Sequence, residues 1–525
     1  MRSKLMFLLI LLSGFFIGIY YHYLLEQLSS WAPFPVLSFE EESAFLTLAT
    51  YLITHFFTIL FTLSILLIAS IIVLENRNPS RTVAWLVILT IFPIIGFIFY
   101  IFVGRNVRKK RRYKNKTIDL NELRHIIDLP YDFNETMEVE LKSKPERIVN
   151  LLLHNASSPM TRFNQATILT NGEATFEAMF REMEGATDHI HFISFIVRDD
   201  EIGQKLKRLF IAKAKEGVKV RVIIDGLGSR KLPAKYIQEL QGAGVEVAVF
   251  SPILFPYLRK VNYRNHRKIA IVDGRVGFVG GLNVGDEYLG KHKRLGFWRD
   301  THMMVEGDSV YFLQLIFLLD WRFTANQNIF CATHSFPRHQ IQEELFIQIA
   351  ASGPDSDWEY ILKLYFSLIT QANRTVYITT PYLIPDDSIL MALKTAALSG
   401  VDVRIIVPGI PDHVVVFWAS HSYFTELLEA GVRIYRYKKG FIHAKIIIAD
   451  GEIVALGTAN LDIRSFHHNF EVSAVIYDSK VAERLEKDFL EDLLDGEEIL
   501  LEEFAKRPFR EKIKESVARL MSPML

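Results

Sequence analysis

The sequence predicts an α/β fold of two similar α/β sandwich domains, preceded by an N-terminal helical membrane region. Three observations predict it: a strongly apolar first hundred residues, an internal repeat in the remainder, and a His-x-Lys-x4-Asp motif in each repeat. With 525 residues, the chain is long enough for several domains. We expect the membrane anchor at 1–104, a basic juxtamembrane segment and linker at 105–150, and the two α/β domains at 151–335 and 336–525.

Three apolar segments predict the membrane region. Residues 5–25 and 45–74 are each long enough to cross a bilayer, which takes about 20 apolar residues. A cleaved signal peptide is the alternative for the first segment, but no small-x-small cleavage site follows it. The third segment, 83–104, is interrupted by Pro93 and Gly96.

The charges that flank these segments indicate conflicting orientations. A basic cluster at 105–116 belongs in the cytoplasm by the positive-inside rule, and so do Arg2 and Lys4. Three full crossings would place them on opposite sides, so either the first segment breaks the rule or the third turns back at Pro93 and Gly96. We favour a multi-pass cell-membrane protein with its α/β domains in the cytoplasm. The basic cluster serves as an anionic-lipid contact, as a stop-transfer flank, or as both.

Composition excludes several classes of site. The formal net charge of zero gives no indication of bulk nucleic-acid binding. The single cysteine, Cys331, excludes intramolecular disulfides and Cys-based metal clusters. His467 and His468 lack partners at standard metal-ligand spacing, so we expect neither a metal nor a cofactor.

Beyond residue 150 the chain repeats itself at long period. "AKEGVKVRVIIDG" (214–226) resembles "ALSGVDVRIIVPG" (397–409), and "GAGVEVAVF" (242–250) resembles "EAGVRIYRY" (429–437). Offsets of 183 (214 to 397) and 187 (242 to 429) indicate duplicated domains rather than a solenoid. Their nearly continuous apolar strands are typical of strands covered on both faces, which predicts mixed parallel sheets in α/β sandwiches.

Each repeat contains one copy of a motif with matching tails. The first copy is His266, Lys268 and Asp273, followed by Asn283; the second is His443, Lys445 and Asp450, followed by Asn460. One chance match is expected about 0.04 times per chain, so two copies at equivalent positions of a repeat are not accidental.

The spacing within the motif indicates chemistry on phosphate. Residues two apart in a strand share a face, so each His projects with its Lys, whereas each Asp faces away and is interpreted as structural. Together the halves would supply two imidazoles and two ammonium groups, with Asn283 and Asn460 as donors. These groups would stabilise a pentacoordinate phosphorus. One His can attack a phosphate diester and the other can protonate the leaving alcohol, without a metal.

The duplicated motif resembles the signature of the phospholipase D superfamily. More narrowly, nearly the whole chain is similar to bacterial cardiolipin synthases. The similarity includes the apolar segment at 78–106, "FWRDTH" (297–302), "NLDIRSFHHNFE" (460–471) and "RLMSPML" (519–525). It implies two phospholipase D-type domains with one active site at their interface, and a covalent phosphohistidine intermediate.

The resemblance also implies a role for each candidate residue. His266 would be the nucleophile and His443 the general acid and then base. Phosphate oxygens would bind a set of four residues: Lys268, Lys445, Asn283 and Asn460. Glu471 would orient His266, and Asp300 would orient His443, each by accepting the second ring N–H.

The resemblance implies phosphatidyl transfer between two phosphatidylglycerols in a bacterial cell membrane, giving cardiolipin and glycerol. A phospholipase D that uses water is one alternative. A nucleic-acid phosphodiesterase is another, but it predicts basic and aromatic stripes across the two halves, and the basic run instead adjoins the membrane segments. A non-enzymatic scaffold would not need both motifs intact. Phosphatidylethanolamine as second lipid and a homo-oligomer stay open.

Two further segments have two interpretations each. The first, 411–424, is either a core helix or an active-site rim whose aromatic residues touch acyl chains. The second, 507–525, is either a packing helix or a membrane-surface contact.

Overall fold

The computed structural model describes residues 146–251, 263–327, 329, 336–354 and 359–525, with isolated positions at 56, 70, 82–83 and 85–88. The chain divides into two compact units, Met1–Lys109 and Lys110–Leu525. Apart from those isolated positions, the predicted membrane segments, the basic cluster and Cys331 lie outside the described residues. Among the residues that are described, none belongs to a helix long and apolar enough to cross a bilayer.

The first half begins with alternating strands and helices, as its apolar pattern predicts, and continues as a run of strands that ends at a long helix. Its elements are α1 (Glu146–Ala156), β1 (Thr161–Thr170), α2 (Asn171–Glu184), β2 (His189–Ser194), α3 (Glu201–Lys215), β3 (Lys219–Asp225), α4 (Ala234–Gly242), β4 (Glu246–Phe250), β5 (Arg264–Asn265), β6 (Ile269–Val272), β7 (Val276–Gly280), β8 (Phe297–Arg299), β9 (Thr301–Gly307) and α5 (Ser309–Ala325).

The second half follows a similar order with additional short strands and helices. Its elements are β10 (Glu344–Ser352), α6 (Tyr360–Gln371), β11 (Thr375–Thr379), β12 (Leu383–Ile384), α7 (Asp387–Leu398), β13 (Asp402–Pro408), α8 (Val414–His421), α9 (Phe424–Glu429), β14 (Arg433–Tyr437), β15 (Gly440–Ile442), β16 (Ile446–Ala449), β17 (Ile453–Gly457), β18 (Leu461–Asp462), α10 (Ile463–His467), β19 (Asn469–Tyr477), α11 (Ser479–Leu494), β20 (Gly496–Glu498), α12 (Leu501–Ala505) and α13 (Phe509–Leu520).

One mixed sheet of sixteen strands runs through both halves. Its order is β20-β14-β13-β11-β16-β17-β19-β10-β1-β9-β7-β6-β2-β3-β4, with β5 attached to β19. The repeated units β2-β3-β4 and β11-β13-β14 are parallel. β1 and β10 pair antiparallel and join the halves. The predicted α/β fold with mixed sheets is confirmed, and a single sheet carries both repeats.

The core of the sheet is built from the apolar strands and from α5. Helix α5 buries most of its length, including Phe317 and Trp321, against strands of both halves such as β6 and β10. Since this face of the sheet is continuous across the β1–β10 junction, the two halves share one hydrophobic core there rather than meeting across a polar interface.

The aspartate of each motif occupies a tight turn after its strand. Asp273 and Asp450 have φ angles of 51° and 56°, in the left-handed region that Asp and Asn tolerate best. Each carboxylate accepts hydrogen bonds from three consecutive backbone N–H groups, those of Thr187–His189 and of Asn373–Thr375, at 2.7–3.1 Å. Burial raises the pKa of both carboxyls, but these N–H groups outweigh it and lower the pKa. The contacts fasten the motif turn to the start of β2 or β11.

We expect Asp450→Ala to lower the free energy of unfolding by about 2 kcal/mol, because three partly buried N–H groups lose their acceptor. Asp450→Asn keeps one acceptor oxygen and tolerates the left-handed backbone, so its loss should be smaller. Urea unfolding followed by tryptophan fluorescence measures both, with the exposed Asp387→Ala as control. Wild-type stability of Asp450→Ala together with loss of turnover would contradict this structural role.

Candidate active site

Short parallel strand pairs carry each motif histidine into the other half. β5 pairs with the start of β19, so Asn265 lies opposite Phe470, and the N–H of His266 donates to the Phe470 carbonyl at 2.9 Å. In the same way β15 pairs with β8, and the N–H of His443 donates to the Arg299 carbonyl at 2.7 Å. The residue after each partner carbonyl is a carboxylate. The register therefore sets His266 beside Glu471 and His443 beside Asp300.

His266 and Glu471 form a buried pair. The ring Nδ1 lies 2.9 and 3.0 Å from the two carboxylate oxygens. Glu471 also accepts from the Thr458 hydroxyl at 2.5 Å and from the Asn469 amide at 3.1 Å. Burial raises the pKa of Glu471, but His266 and Lys268 outweigh it and lower that pKa. An ionised carboxylate only accepts, so Nδ1 carries the hydrogen and Nε2 keeps its lone pair.

His443 and Asp300 form the equivalent pair. His443 Nδ1 lies 2.8 Å from Asp300 Oδ2, which also accepts from the Trp298 indole N–H at 3.3 Å. The backbone N–H of Thr301 donates to Asp300 Oδ1 at 2.9 Å. Burial opposes ionisation of Asp300, but His443 and then Lys445 outweigh it and lower its pKa to about 2. The tautomer of His443 is therefore the same as that of His266.

Both rings are neutral at ordinary pH. Burial lowers the pKa of His266 to about 4; Glu471 opposes the shift, and Lys268 adds to it. Burial likewise lowers the pKa of His443 to about 4, with Lys445 contributing next. A neutral imidazole whose Nε2 lone pair is available can act as a nucleophile or as a general base.

The two lysines link the halves electrostatically. Each ammonium donates to the carbonyl of its own motif histidine, Lys268 to His266 at 2.6 Å and Lys445 to His443. Burial lowers the pKa of Lys445 to about 8, and carboxylates of both halves, Asp300 and Glu471, oppose that shift. The pKa of Lys268 also lies well below its usual value, and burial is again the largest cause. The predicted histidines, lysines and carboxylates therefore form one cluster.

The two residues that flank His266, Asn265 and Arg267, point away from this cluster. Asn265 Nδ2 and Arg267 Nη1 both donate to the buried carboxylate of Asp320, at 2.8 and 2.7 Å. Arg267 also donates to the Glu471 carbonyl at 3.1 Å. The alternation that places His266 and Lys268 on one face thus buries its neighbours on the opposite one.

The two asparagines are held by contacts within their own halves. Asn283 donates to the Tyr288 hydroxyl at 3.1 Å, and its oxygen accepts from the Ile196 N–H at 3.1 Å. Asn460 donates to Asp462 at 2.9 Å. Its Oδ1 is buried and has no hydrogen-bond partner among the described residues.

Sequence reasoning missed the residues that brace the carboxylates. Trp298 and Gly281 lie against Asp300 in one half. Asn469 and Thr458 contact Glu471 in the other half. A Cβ at Gly281 would lie 2.0 Å from Asp300 Oδ1, so only glycine leaves room for that carboxylate. Alignment of the repeats offers the signal, because Trp298 and Asn469 each stand two residues before a carboxylate and Gly281 aligns with Thr458. Within the described ranges, no cluster of His, Cys, Asp and Glu could hold a metal ion.

Comparison with known proteins agrees with this geometry. A family model described as "Cardiolipin synthase, PLD-like domain" matches residues 179–301 and 365–493, and one described as "Phospholipase_D-nuclease N-terminal" matches 62–105. A phosphatidylserine synthase from Haemophilus influenzae, known from its crystal structure, shares the fold, with a TM-score of 0.57 at 16% identity over 72% of this chain and 100% of that one.

Curated relatives extend the match to most of the chain. The cardiolipin synthase of Geobacillus kaustophilus is 49% identical over 474 residues, which cover 89% of this chain and 94% of that protein. The major cardiolipin synthase ClsA of Bacillus subtilis is 43% identical over 478 residues, which cover 89% and 98% respectively. These findings confirm the predicted resemblance: the chain belongs to the cardiolipin synthase family of the phospholipase D superfamily.

Proposed function

We propose that this chain is a phosphatidyltransferase that makes cardiolipin from two phosphatidylglycerols. His266 Nε2 attacks the phosphorus of the first lipid, and the bond to its glycerol headgroup breaks. His443, protonated in the bound complex, gives its proton to the departing glycerol oxygen. It then removes the proton of a hydroxyl on the second phosphatidylglycerol, whose oxygen attacks phosphorus and releases His266. Phosphorus ends in a new diester, and no external oxidant, reductant or metal is required.

The observation that carries the proposal is that the carboxylate beside each motif histidine comes from the other half. Glu471 holds His266 and Asp300 holds His443 in the same tautomer, at 2.9 and 2.8 Å. The cluster therefore contains two Nε2 atoms that both keep an available lone pair. This arrangement suits a reaction that needs a nucleophile and a proton carrier at the same phosphorus. We carry the order of the two histidines over from the superfamily.

The phosphate would be held by residues of both halves. Lys268 and Lys445 each donate one ammonium hydrogen to a histidine carbonyl. Each ammonium group therefore keeps two hydrogens that can be donated to phosphate oxygens. Asn283 and Asn460 each retain a second amide hydrogen that could donate to the same group. Four donors of this kind would stabilise the charge on pentacoordinate phosphorus.

Burial supports a lipid alcohol rather than water as the acceptor. His266 and His443 are only 9% and 7% exposed. A transferase must disfavour water at roughly 55 M, and a site that excludes water favours an acceptor delivered from the membrane. A phospholipase D is the alternative outcome of the assay below.

We further propose the arrangement of the whole chain. Residues 1–104 anchor a multi-pass protein in the bacterial cell membrane, and 105–150 form a basic juxtamembrane segment and linker. Phospholipase D-like domains occupy 151–335 and 336–525 on the cytoplasmic side, with phosphatidylglycerol and other membrane lipids as partners and no nucleic acid. The apolar content of the N-terminal segments and the basic cluster support this arrangement.

Purified protein incubated with labelled phosphatidylglycerol alone should form cardiolipin and glycerol in equal amounts. His266→Ala should reduce the rate by about a thousandfold or more, because it removes the nucleophile. Thin-layer separation of the lipids measures both, with the exposed Asp387→Ala as a matched control that keeps its rate. Phosphatidic acid without cardiolipin would identify a hydrolase instead.

A rapid quench of turnover in alkaline denaturant should trap a phosphatidyl group on His266. Phosphoramidates are stable in base and labile in acid, so a brief quench followed by alkaline proteolysis and mass spectrometry can locate the label. His443→Asn should still accumulate label on His266, though slowly, because the leaving glycerol and the incoming hydroxyl both lose their proton carrier. Label on His443 in His266→Asn protein would reverse the assigned order.

Anion binding should draw a proton into the site. Burial and nearby lysines hold the pKa of His266 and of His443 at about 4, and a bound anion favours the charged ring, so the pKa rises. Sulfate does not titrate near neutral pH, so its binding should take up as much as about one proton per site at about pH 6. Calorimetry in buffers of different ionisation enthalpy measures the uptake. His443→Asn should remove a large part of it, and a buffer-independent binding heat for the wild type would contradict the mechanism.

A further inference from the structure

The C-terminal helix α13 presents an unusual face to solvent. Its exposed apolar residues are Phe509, Ile513, Val517 and Leu520, with exposures of 76%, 47%, 59% and 82%. At about 100° per residue these four positions fall within an arc of about 80°. The buried residues Glu515 and Ala518 lie on the opposite side. A surface helix of a globular protein normally buries its apolar stripe, so α13 is inverted.

The face turned toward the protein is held by polar contacts instead. Arg507 forms an ion pair with the buried Glu515 at 2.7 Å and packs over the ring of Phe504. Arg519 donates to Glu426 at 2.7 Å. These contacts fix the rotation of the helix, so the outward position of the apolar stripe is determined by the fold.

The charges around the stripe are positive. The exposed charged residues of 506–520 are all basic: Lys506, Arg510, Lys512, Lys514 and Arg519, the last of which is also paired with Glu426. By contrast Glu515 is buried and paired, and Glu511 is half-buried. An exposed apolar stripe flanked by basic residues is the arrangement of helices that lie in the interface of an anionic bilayer.

A second helix provides an internal comparison. α11 also exposes leucines, Leu490 at 46% and Leu494 at 86%. Its charged neighbours along that surface are mostly acidic: Glu483, Glu486 and Glu491, with Lys487 among them. An anionic bilayer would repel this surface. Exposed apolar residues alone therefore do not identify a lipid contact, and the charge around them is what distinguishes α13 from α11.

The stripe belongs to a region that borders the active site. α13 packs on α8, where Lys514 Nζ lies 5.0 Å from the ring centre of Trp418. α8 itself exposes Val414 and Val415, and its Val416 and Phe417 line a groove together with Phe441, two residues before His443. Both segments left open by the sequence, 411–424 and 507–525, thus meet at one place. α8 begins directly after the loop of Asp412, whose charge acts on Lys445.

We propose that α13, with the N-terminal turn of α8, docks on the anionic surface of the bilayer and holds the rim of the active site against the lipids. The apolar stripe enters the headgroup region and the flanking lysines and arginines contact anionic headgroups. This surface would serve a transferase or a hydrolase alike, so it does not depend on the proposed reaction.

The test places a fluorescent label on the stripe of the full chain. In a Cys331→Ser background, Val517→Cys is labelled with an environment-sensitive dye, and Leu494→Cys, the more exposed position on acidic α11, is the matched control. Both proteins are reconstituted in vesicles of phosphatidylglycerol and phosphatidylcholine in equal parts, with brominated acyl chains as quencher. The label at 517 should lose about half of its intensity or more, and the label at 494 should be unaffected.

Other outcomes would overturn the proposal. Equal quenching at both positions would mean unspecific association, and quenching at neither would leave the stripe in water. Protection of the label at 517 in detergent, rising with protein concentration, would identify a second copy of the chain as the occupant.

A charge variant gives an independent readout. Val517→Glu with Leu520→Glu should slow turnover of lipid in vesicles about fivefold while leaving turnover in detergent micelles unchanged. Leu490→Glu with Leu494→Glu should change neither rate. An equal loss in vesicles and micelles would indicate damage to the fold, and thermal unfolding of the two variants separates that case. Unchanged vesicle turnover with no quenching at 517 would reject the docking surface while leaving the phosphatidyl transfer intact.

Discussion

The site depends on one feature of the pairing between the halves: the short strand directly before each motif histidine pairs with a strand of the other half that contains or directly precedes the carboxylate. The backbone bonds from His266 to Phe470 and from His443 to Arg299 fix the register of both pairs. Because side chains alternate along a strand, a shift of one residue would turn each carboxylate away from its ring. Among the described residues, neither motif histidine pairs with a carboxylate of its own half, so the continuous sheet joined at β1 and β10 is what makes the site possible.

This pairing also balances the buried charge. Glu471 and Asp300 are ionised, and the two lysines lie among them, while the rings remain neutral. A buried charge without partners would cost several kcal/mol, whereas opposed charges that are hydrogen-bonded can be retained. A phosphate diester adds one negative charge to this set. Protonation of a histidine ring is the change that compensates this charge at the lowest cost in free energy. A protonated ring is also what the departing alcohol needs as its proton donor.

The sequence predicted the parts of the site that are local and repeated. The two motifs, the shared face of His and Lys, and a structural role for Asp273 follow from spacing and alternation alone. Asp300 and Glu471 lie 143 and 205 residues from their histidines, so only family resemblance could assign them. The single sheet also could not be foreseen, since the β1–β10 pairing leaves no signature in either strand. The membrane segments stay predictions, because they lie outside the described residues.

The repeats are nearly symmetric in backbone and unequal in the groups around the two rings. Glu471 is held by a hydroxyl and an amide, from Thr458 and Asn469, whereas Asp300 receives the indole N–H of Trp298 and sits against Gly281, where no side chain fits. Trp298 also packs 5.1 Å from the His443 ring, while Phe195 is the neighbour of His266 at 5.0 Å. Identical motifs therefore lie in different surroundings. The proposed reaction needs one histidine that keeps a covalent bond and one that passes a proton twice, and this inequality would give the fold a physical basis for separating those tasks.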